Sequence, residues 1–190
     1  MKRIVLPLVL VAAGVLSACS APGSGAYVKT EPTYEEAKAS KFVSTNREAI
    51  QSLVAGLDMK NMAGTPLLVA TVVNVNDLRK TAPLGRTLSE QYASQLVAQG
   101  FLVKELKLRG DIFVREETGE LMLSRELKDI AKVHSAGMVV VGTYSAAASA
   151  TFVSLKLVKT DTGQIIKGFD YALPNNADVN KLLQQPLRTM

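Results

Sequence analysis

Cysteine and histidine are nearly absent from this chain of 190 residues, which holds one of each, Cys19 and His134. A single cysteine allows no disulfide within the chain, so the fold must be stabilised by its core. A single histidine leaves a histidine-based metal centre dependent on carboxylates, and any Ser-His nucleophilic pair dependent on one ring. That ring is expected in the last turn of a helix, where a cation or a carbonyl-bonded imidazole is favourable, so capping or exposure accounts for it. Phosphate-cradling loops are missing as well. No P-loop, G-x-G-x-x-G or G-x-S-x-G follows a predicted strand, and Gly23-Ser24-Gly25 lies in a polar linker. Glu116-Glu117 offers half of a carboxylate pair, but a solvated turn is the better reading. These absences predict a protein that is not an enzyme and uses neither a metal nor a cofactor. Charge is also nearly balanced, with 22 basic and 17 acidic residues. Loss of Lys2 and Arg3 with a signal peptide would leave a net charge of about +3, too little to predict nucleic-acid binding.

Long apolar runs are scarce, and the one present is informative. Met1-Lys2-Arg3 forms a short positive n-region, and Ile4 to Val15, "IVLPLVLVAAGV", has the length of a signal-peptide h-region. It is too short to span a bilayer, which takes about 20 apolar residues. Next comes Leu16-Ser17-Ala18-Cys19, which resembles the bacterial lipobox, where the cysteine sulfur receives diacylglycerol and the signal is cut just before it. On this reading Cys19 is the lipid-attachment residue, a thioether with no redox or acid–base chemistry left; the alternative is an ordinary secretory signal with a free thiol. Two or three acyl chains would hold the protein on a membrane, where one chain is marginal. Serine at position 20, where an aspartate resembles an inner-membrane retention signal, points to the outer membrane. The expected layout is a signal peptide over 1–18, an acylated cysteine and flexible linker over 19–33, N-terminal helices over 34–62, an α/β domain over 63–174 and a C-terminal tail over 175–190.

The pattern of the rest predicts helices packed on one mixed, mostly parallel five-stranded sheet that ends in an antiparallel hairpin, an α/β (α+β) fold. Thr33 with Glu36, and Thr45 with Glu48, have capping-box spacing. Ile50, Leu53, Val54 and Leu57 then give a helical face, predicting a helix over about 46–57. "PLLVATVVNV", 66–75, reads as one strand buried on both faces. Pro83 opens a helix with Leu84, Leu88, Tyr92, Leu96 and Val97 inward, and Gly100 suits the left-handed position after it. "FLVKELKLR" is a second strand, with Leu102, Leu106 and Leu108 on one face. A β-arm turning at Thr118-Gly119 follows. Ser124 caps a helix whose Leu127, Ile130 and Ala131 face inward, and three more strands close the chain. Ile112, Phe113 and Val114 lie in the arm, where three consecutive apolar residues should not face water, and they make a candidate interface, for a partner or for self-assembly. Lys104, Lys107, Arg109 and Arg115 collect nearby, as an edge that discourages sheet pairing or as a docking surface for an acidic partner or for the phosphate-bearing inner leaflet.

Three stretches carry a family resemblance: Leu84-Gly85-Arg86 with Ser89-Glu90-Gln91, then Gly119 to Glu126, "GELMLSRE", then Val141-Gly142-Thr143-Tyr144. Over about Pro66 to Leu173 the chain resembles the FlgO-domain family of bacterial envelope lipoproteins. The resemblance implies a non-enzymatic accessory or structural role at the outer membrane, linked to flagellar assembly or motility, with other envelope or flagellar lipoproteins as partners. The element order also resembles that of domains in TolB, curli-secretion lipoproteins and lipoprotein activators of peptidoglycan synthases, so scaffolding or regulation of another envelope machine is the alternative. Gly85 and Gly142 fit positions of close packing. Arg86 and Arg125 are candidate interface residues. Each is expected in the first turn of a helix, where the dipole disfavours a cation, so each should have a partner, such as Glu90 for Arg86.

Overall fold

Thr33 and Glu36 open the first helix as their spacing predicts. The Glu36 amide donates to Thr33 Oγ1 at 3.3 Å and the Thr33 amide to Glu36 Oε2 at 2.7 Å. The computed structural model describes residues 31–57, 64–78, 80–106, 115–117, 120–122 and 125–184, all within one compact unit, Glu31–Met190. Helix α1 (Tyr34–Ala39) gives way to α2 (Phe42–Val54) through Lys41, held at φ 58°. That left-handed conformation costs an L-residue about 1–2 kcal/mol, and it turns the chain sharply. Helix α2 therefore starts four residues before the expected boundary. Thr45 lies inside it, its amide bonded to the Lys41 carbonyl at 2.9 Å, and does not open it.

The predicted strand 66–75 is two strands, β1 (Leu67–Ala70) and β2 (Val73–Asn74). Both lie parallel to β6 (Met138–Ala146), but Val69 pairs with Val140 whereas Val73 pairs with Thr143. Four steps on one side thus match three on the other. The extra residue makes a bulge at Thr71-Val72, and it raises the strand count of the main sheet from the expected five to six. Its order is β3-β1-β6-β7-β8, with β2 beside β6. The strands β3 (Val103–Leu106), β1 and β6 are parallel, as two βαβ crossovers require, while β7 (Ala150–Lys159) and β8 (Ile165–Pro174) extend the sheet as an antiparallel meander. The short strands β4 (Arg115–Glu117) and β5 (Glu120–Met122) pair with each other in a separate sheet. The expected turn between them and the capping Ser124 lie outside the described residues.

Helix α3 (Pro83–Ala98) buries Leu84, Leu88, Tyr92 and Leu96 as predicted, each contributing about 1.5–3 kcal/mol in transfer terms. Val97 is exposed instead, because Leu96 takes the inward position and its neighbour falls about 100° further round the helix. In the next segment Leu102 is likewise exposed and Phe101 is buried, so the inward face at its start is the one opposite Leu102. Gly100 has φ 90°, the predicted left-handed position. The segment expected to be a tail folds into α5 (Ala177–Leu183): Asn176 Oδ1 accepts from the Val179 amide at 2.9 Å, and Val179 is buried.

One face of the sheet carries the main core, where Leu67, Val69, Val140, Leu155 and Leu157 meet α2, α3 and α5. The opposite face has a smaller core. There α4 (Arg125–Val133) sets Ala131 on Leu68, Ala70, Val139 and Val158, with Ile130 half-buried beside them. That cover ends partway along β6 and β7.

Candidate interaction site

The bulge at Val72 is where two of the three motif stretches, 84–91 and 141–144, converge. Its amide donates to Ser89 Oγ at 3.2 Å, and its carbonyl accepts from Thr81 Oγ1 at 2.7 Å. Side chains thus replace the strand partners that the bulge removes. Ser89 also donates to the Gly85 carbonyl one turn back, at 2.6 Å. Gly85 must be glycine for a steric reason: a Cβ there would stand 2.0 Å from the Val72 carbonyl oxygen and 2.3 Å from Thr81 Oγ1. Gly142, across the sheet, would set a Cβ 2.8 Å from Leu155 Cδ2 and 3.2 Å from Val72 Cγ2. The Tyr144 hydroxyl accepts from the Ala82 amide at 3.0 Å, tying β6 to the residue that precedes α3. Burial pushes the Tyr144 phenol above its ordinary pKa, while the Ala82 amide, the Asn74 side chain and the positive charge of Arg86 act in the opposite sense. Arg86 itself is exposed, in the first turn of α3.

Beyond the bulge no described element covers the second face of the sheet. Ser145, Phe152 and Ala172 form one cross-strand row, and Thr143, Ser154 and Asp170 the next. With Val75 they line a groove of about 520 Å3. Phe152 is 56% exposed and Val75 44%, an apolar floor between hydroxyls and one carboxylate. Alternation along β7 produces this arrangement, since Val153, Leu155 and Leu157 turn into the main core and Phe152, Ser154 and Lys156 turn away from it. A surface of this make-up binds by burying an aromatic side chain and pairing polar groups around it.

A second polar cluster lies under the sheet. Asn46 on α2 donates through Nδ2 to Gln91 Oε1 at 2.7 Å and accepts at Oδ1 from the Tyr171 hydroxyl at 2.7 Å. Tyr171 bonds in turn to Tyr92. Burial raises the pKa of both phenols. The cluster joins α2, α3 and β8. Among the described residues no fully buried side-chain nitrogen or oxygen lacks a partner, and no three His, Cys, Asp or Glu residues are grouped to hold a metal. His134 follows α4 directly, its Nδ1 3.5 Å from Lys104 Nζ.

Of the residues singled out from sequence, Arg86 and Arg125 stand in the first turns of α3 and α4 as expected. Cys19, Ile112, Phe113, Val114 and the side chain of Arg125 lie outside the described residues. The open face is not among the sequence expectations, although the period-two pattern of "TFVSLK" places an aromatic residue in line with polar ones.

A protein-family model described as FlgO protein matches residues 47–178. Among solved structures, the chain is similar to the C-terminal domain of LpoB from Salmonella enterica, with 20% identity, a TM-score of 0.43, and 67% of this chain and 96% of that one covered. It is similar to the PelC dodecamer from Paraburkholderia phytofirmans, with 14% identity, a TM-score of 0.42, and coverage of 58% and 71%. For lipoprotein GNA1162 from Neisseria meningitidis the values are 12%, 0.41, 60% and 83%. Likeness at this level carries no argument about binding. No curated protein matches the chain.

Proposed function

We propose, because this chain belongs to the FlgO family, that it is a non-enzymatic accessory lipoprotein of the bacterial envelope, tethered to the outer membrane through Cys19 and acting by contact with other envelope proteins. Membership of the family carries this reading, and the match covers both the Val72 junction and the open face. The groove over Phe152 supports contact as the mode of action, because its aromatic floor and mixed polar rim suit a protein surface. The process served is flagellar assembly or motility, with flagellar lipoproteins as partners. Attachment is tested by Cys19→Ser. It should block maturation and radioactive palmitate labelling and move the protein out of the membrane pellet; an unmodified thiol in wild-type protein that still pellets with membranes refutes the anchor. The binding mode is tested by Phe152→Glu, which should leave circular dichroism and the urea midpoint within the small range of surface changes, about 0.5 kcal/mol, and abolish function in the cell. Deletion of the gene should impair swimming or flagellation. Normal swimming with a defect elsewhere in the envelope assigns the chain to another envelope machine.

A further inference from the structure

The two N-terminal helices and α5 enclose a groove of about 460 Å3. Tyr34, Lys38 and Lys41 reach it from one face of α1 and its end, at spacings of four and three residues, and Val43 and Arg47 reach it from α2, four residues apart. Charge is sorted across these helices. Among the described residues, Lys38, Lys41 and Arg47 line the groove against one carboxylate, Asp178, whereas Glu35, Glu36 and Glu48 do not line it. Two apolar side chains stand in water beside the cations, Tyr34 at 78% and Val43 at 51% exposure. An amphipathic aromatic residue, an exposed aliphatic and a set of long cationic side chains make the combination that settles at a membrane interface, rings at headgroup level and charges on phosphates. Lys41 sharpens the point. It holds a left-handed backbone conformation that glycine or asparagine would adopt more easily, and its side chain caps no helix.

Chain length gives the occupant. Cys19 precedes Glu31 by twelve residues, a length at which a random coil spans about 20 Å, and Tyr34 lies three residues further on. We propose that this groove docks on the anionic phospholipid surface to which the chain is tethered, with Lys38, Lys41 and Arg47 on headgroup phosphates and Tyr34 and Val43 entering the interface. The inference rests on the Cys19 anchor for its local concentration.

The chain has no tryptophan, so Tyr34→Trp supplies a single reporter in the groove and Val97→Trp, at an exposed site on α3, a control. The mature protein carrying each, as isolated from the cell, is reconstituted into vesicles of phosphatidylethanolamine and phosphatidylglycerol, or of phosphatidylcholine alone, containing bromine-labelled acyl chains. The expected result is flotation with both vesicles, and quenching with a blue shift of the Tyr34→Trp emission in the anionic vesicles only. Quenching should be lost in high salt and in the Lys38→Gln/Lys41→Gln/Arg47→Gln variant. Flotation with the groove reporter quenched no more than the α3 control, or quenched equally in neutral vesicles, overturns the docking and leaves the anchor. Flotation and quenching confined to anionic vesicles uphold the docking and overturn the anchor. Absence of both overturns both.

Discussion

Replacing Gly85 by alanine separates two opposed physical expectations. Helix propensity alone favours the change, because alanine is about 0.8–1 kcal/mol better than glycine inside a helix. The junction opposes it. The new Cβ would lie 2.0 Å from the Val72 carbonyl oxygen and 2.3 Å from Thr81 Oγ1, whereas nonbonded heavy atoms settle near about 3.5 Å. Val72 or the start of α3 would have to move by about 1.5 Å, and the nearest atom is backbone, which cannot swing aside like a side chain. Overpacking of this kind costs about 1–3 kcal/mol. The same displacement strains the bonds of the Val72 amide to Ser89 and of its carbonyl to Thr81, at about 0.5–1.5 kcal/mol each. After the propensity gain a net loss of about 3 kcal/mol is expected, a large share of a domain stability of about 5–15 kcal/mol. Urea unfolding followed by circular dichroism should show a midpoint lower by about 1–2 M. Gly142→Ala gives the internal comparison. Its nearest neighbour is Leu155 Cδ2 at 2.8 Å, the end of a side chain with other rotamers, although the Ser154 carbonyl stands at 3.3 Å, so the loss should be smaller. A Gly85→Ala midpoint equal to or above that of the native chain, or a larger loss from Gly142→Ala, would refute the steric account of the junction.

Tyr144→Phe should cost about 1–3 kcal/mol, the penalty for leaving the buried Ala82 amide without an acceptor, and thermal or urea melts will show it. Because burial holds the Tyr92 and Tyr171 phenols above their ordinary pKa, the native chain keeps protons that the unfolded chain releases above about pH 10. Stability from these groups is therefore complete below that pH and declines as pH rises beyond it; urea midpoints taken across the alkaline range should fall, and less steeply in Tyr92→Phe/Tyr171→Phe. Lys41→Gly should raise stability by about 0.5–1 kcal/mol by relieving the left-handed conformation, and an unchanged or lower midpoint would mean that the turn carries no strain.

The elements legible in the sequence are those whose pattern is local. Helix α3 has proline at its first position, an apolar stripe and Gly100 after its end; the β7–β8 hairpin has alternating polarity, broken at Leu157-Val158, and a turn at Asp161-Thr162-Gly163. What sequence did not yield depends on distant partners. The split of 66–75 is enforced by Ser89 and Thr81, which take over both polar groups of Val72; nothing inside "PLLVATVVNV" marks a break. The early start of α2 turns on a lysine in a conformation usually signalled by glycine. Asn46 meets Gln91 and Tyr171 across 45 and 125 residues of chain, so no spacing rule could pair them. Helix α5 was within reach, since Asn176 and Val179 form a cap with a buried residue three positions on, but seven residues are too few for a periodic signal.

The residues that most distinguish the family resemblance in the described structure, Gly85, Ser89, Gly142 and Tyr144, point inward, and none of them lines the groove over Phe152. Their bearing on binding is indirect and runs through the bulge. Gly85 makes room for the Val72 carbonyl and Ser89 holds its amide, so the extra residue is kept and β2 is set one step out of the β1 register. That step brings the Val75 amide to the Tyr144 carbonyl at 3.0 Å, and Val75 becomes a wall of the groove. Without the extra residue, every side chain from Val73 to Val75 would exchange faces, because strand side chains alternate with a period of two. Val73, which pairs with Thr143, and Val75 would both leave the second face, and the groove would lose its Val75 wall. A junction that reads as purely structural in sequence is thus what gives the open face its shape, and a change at Gly85 should disturb partner contact as well as stability.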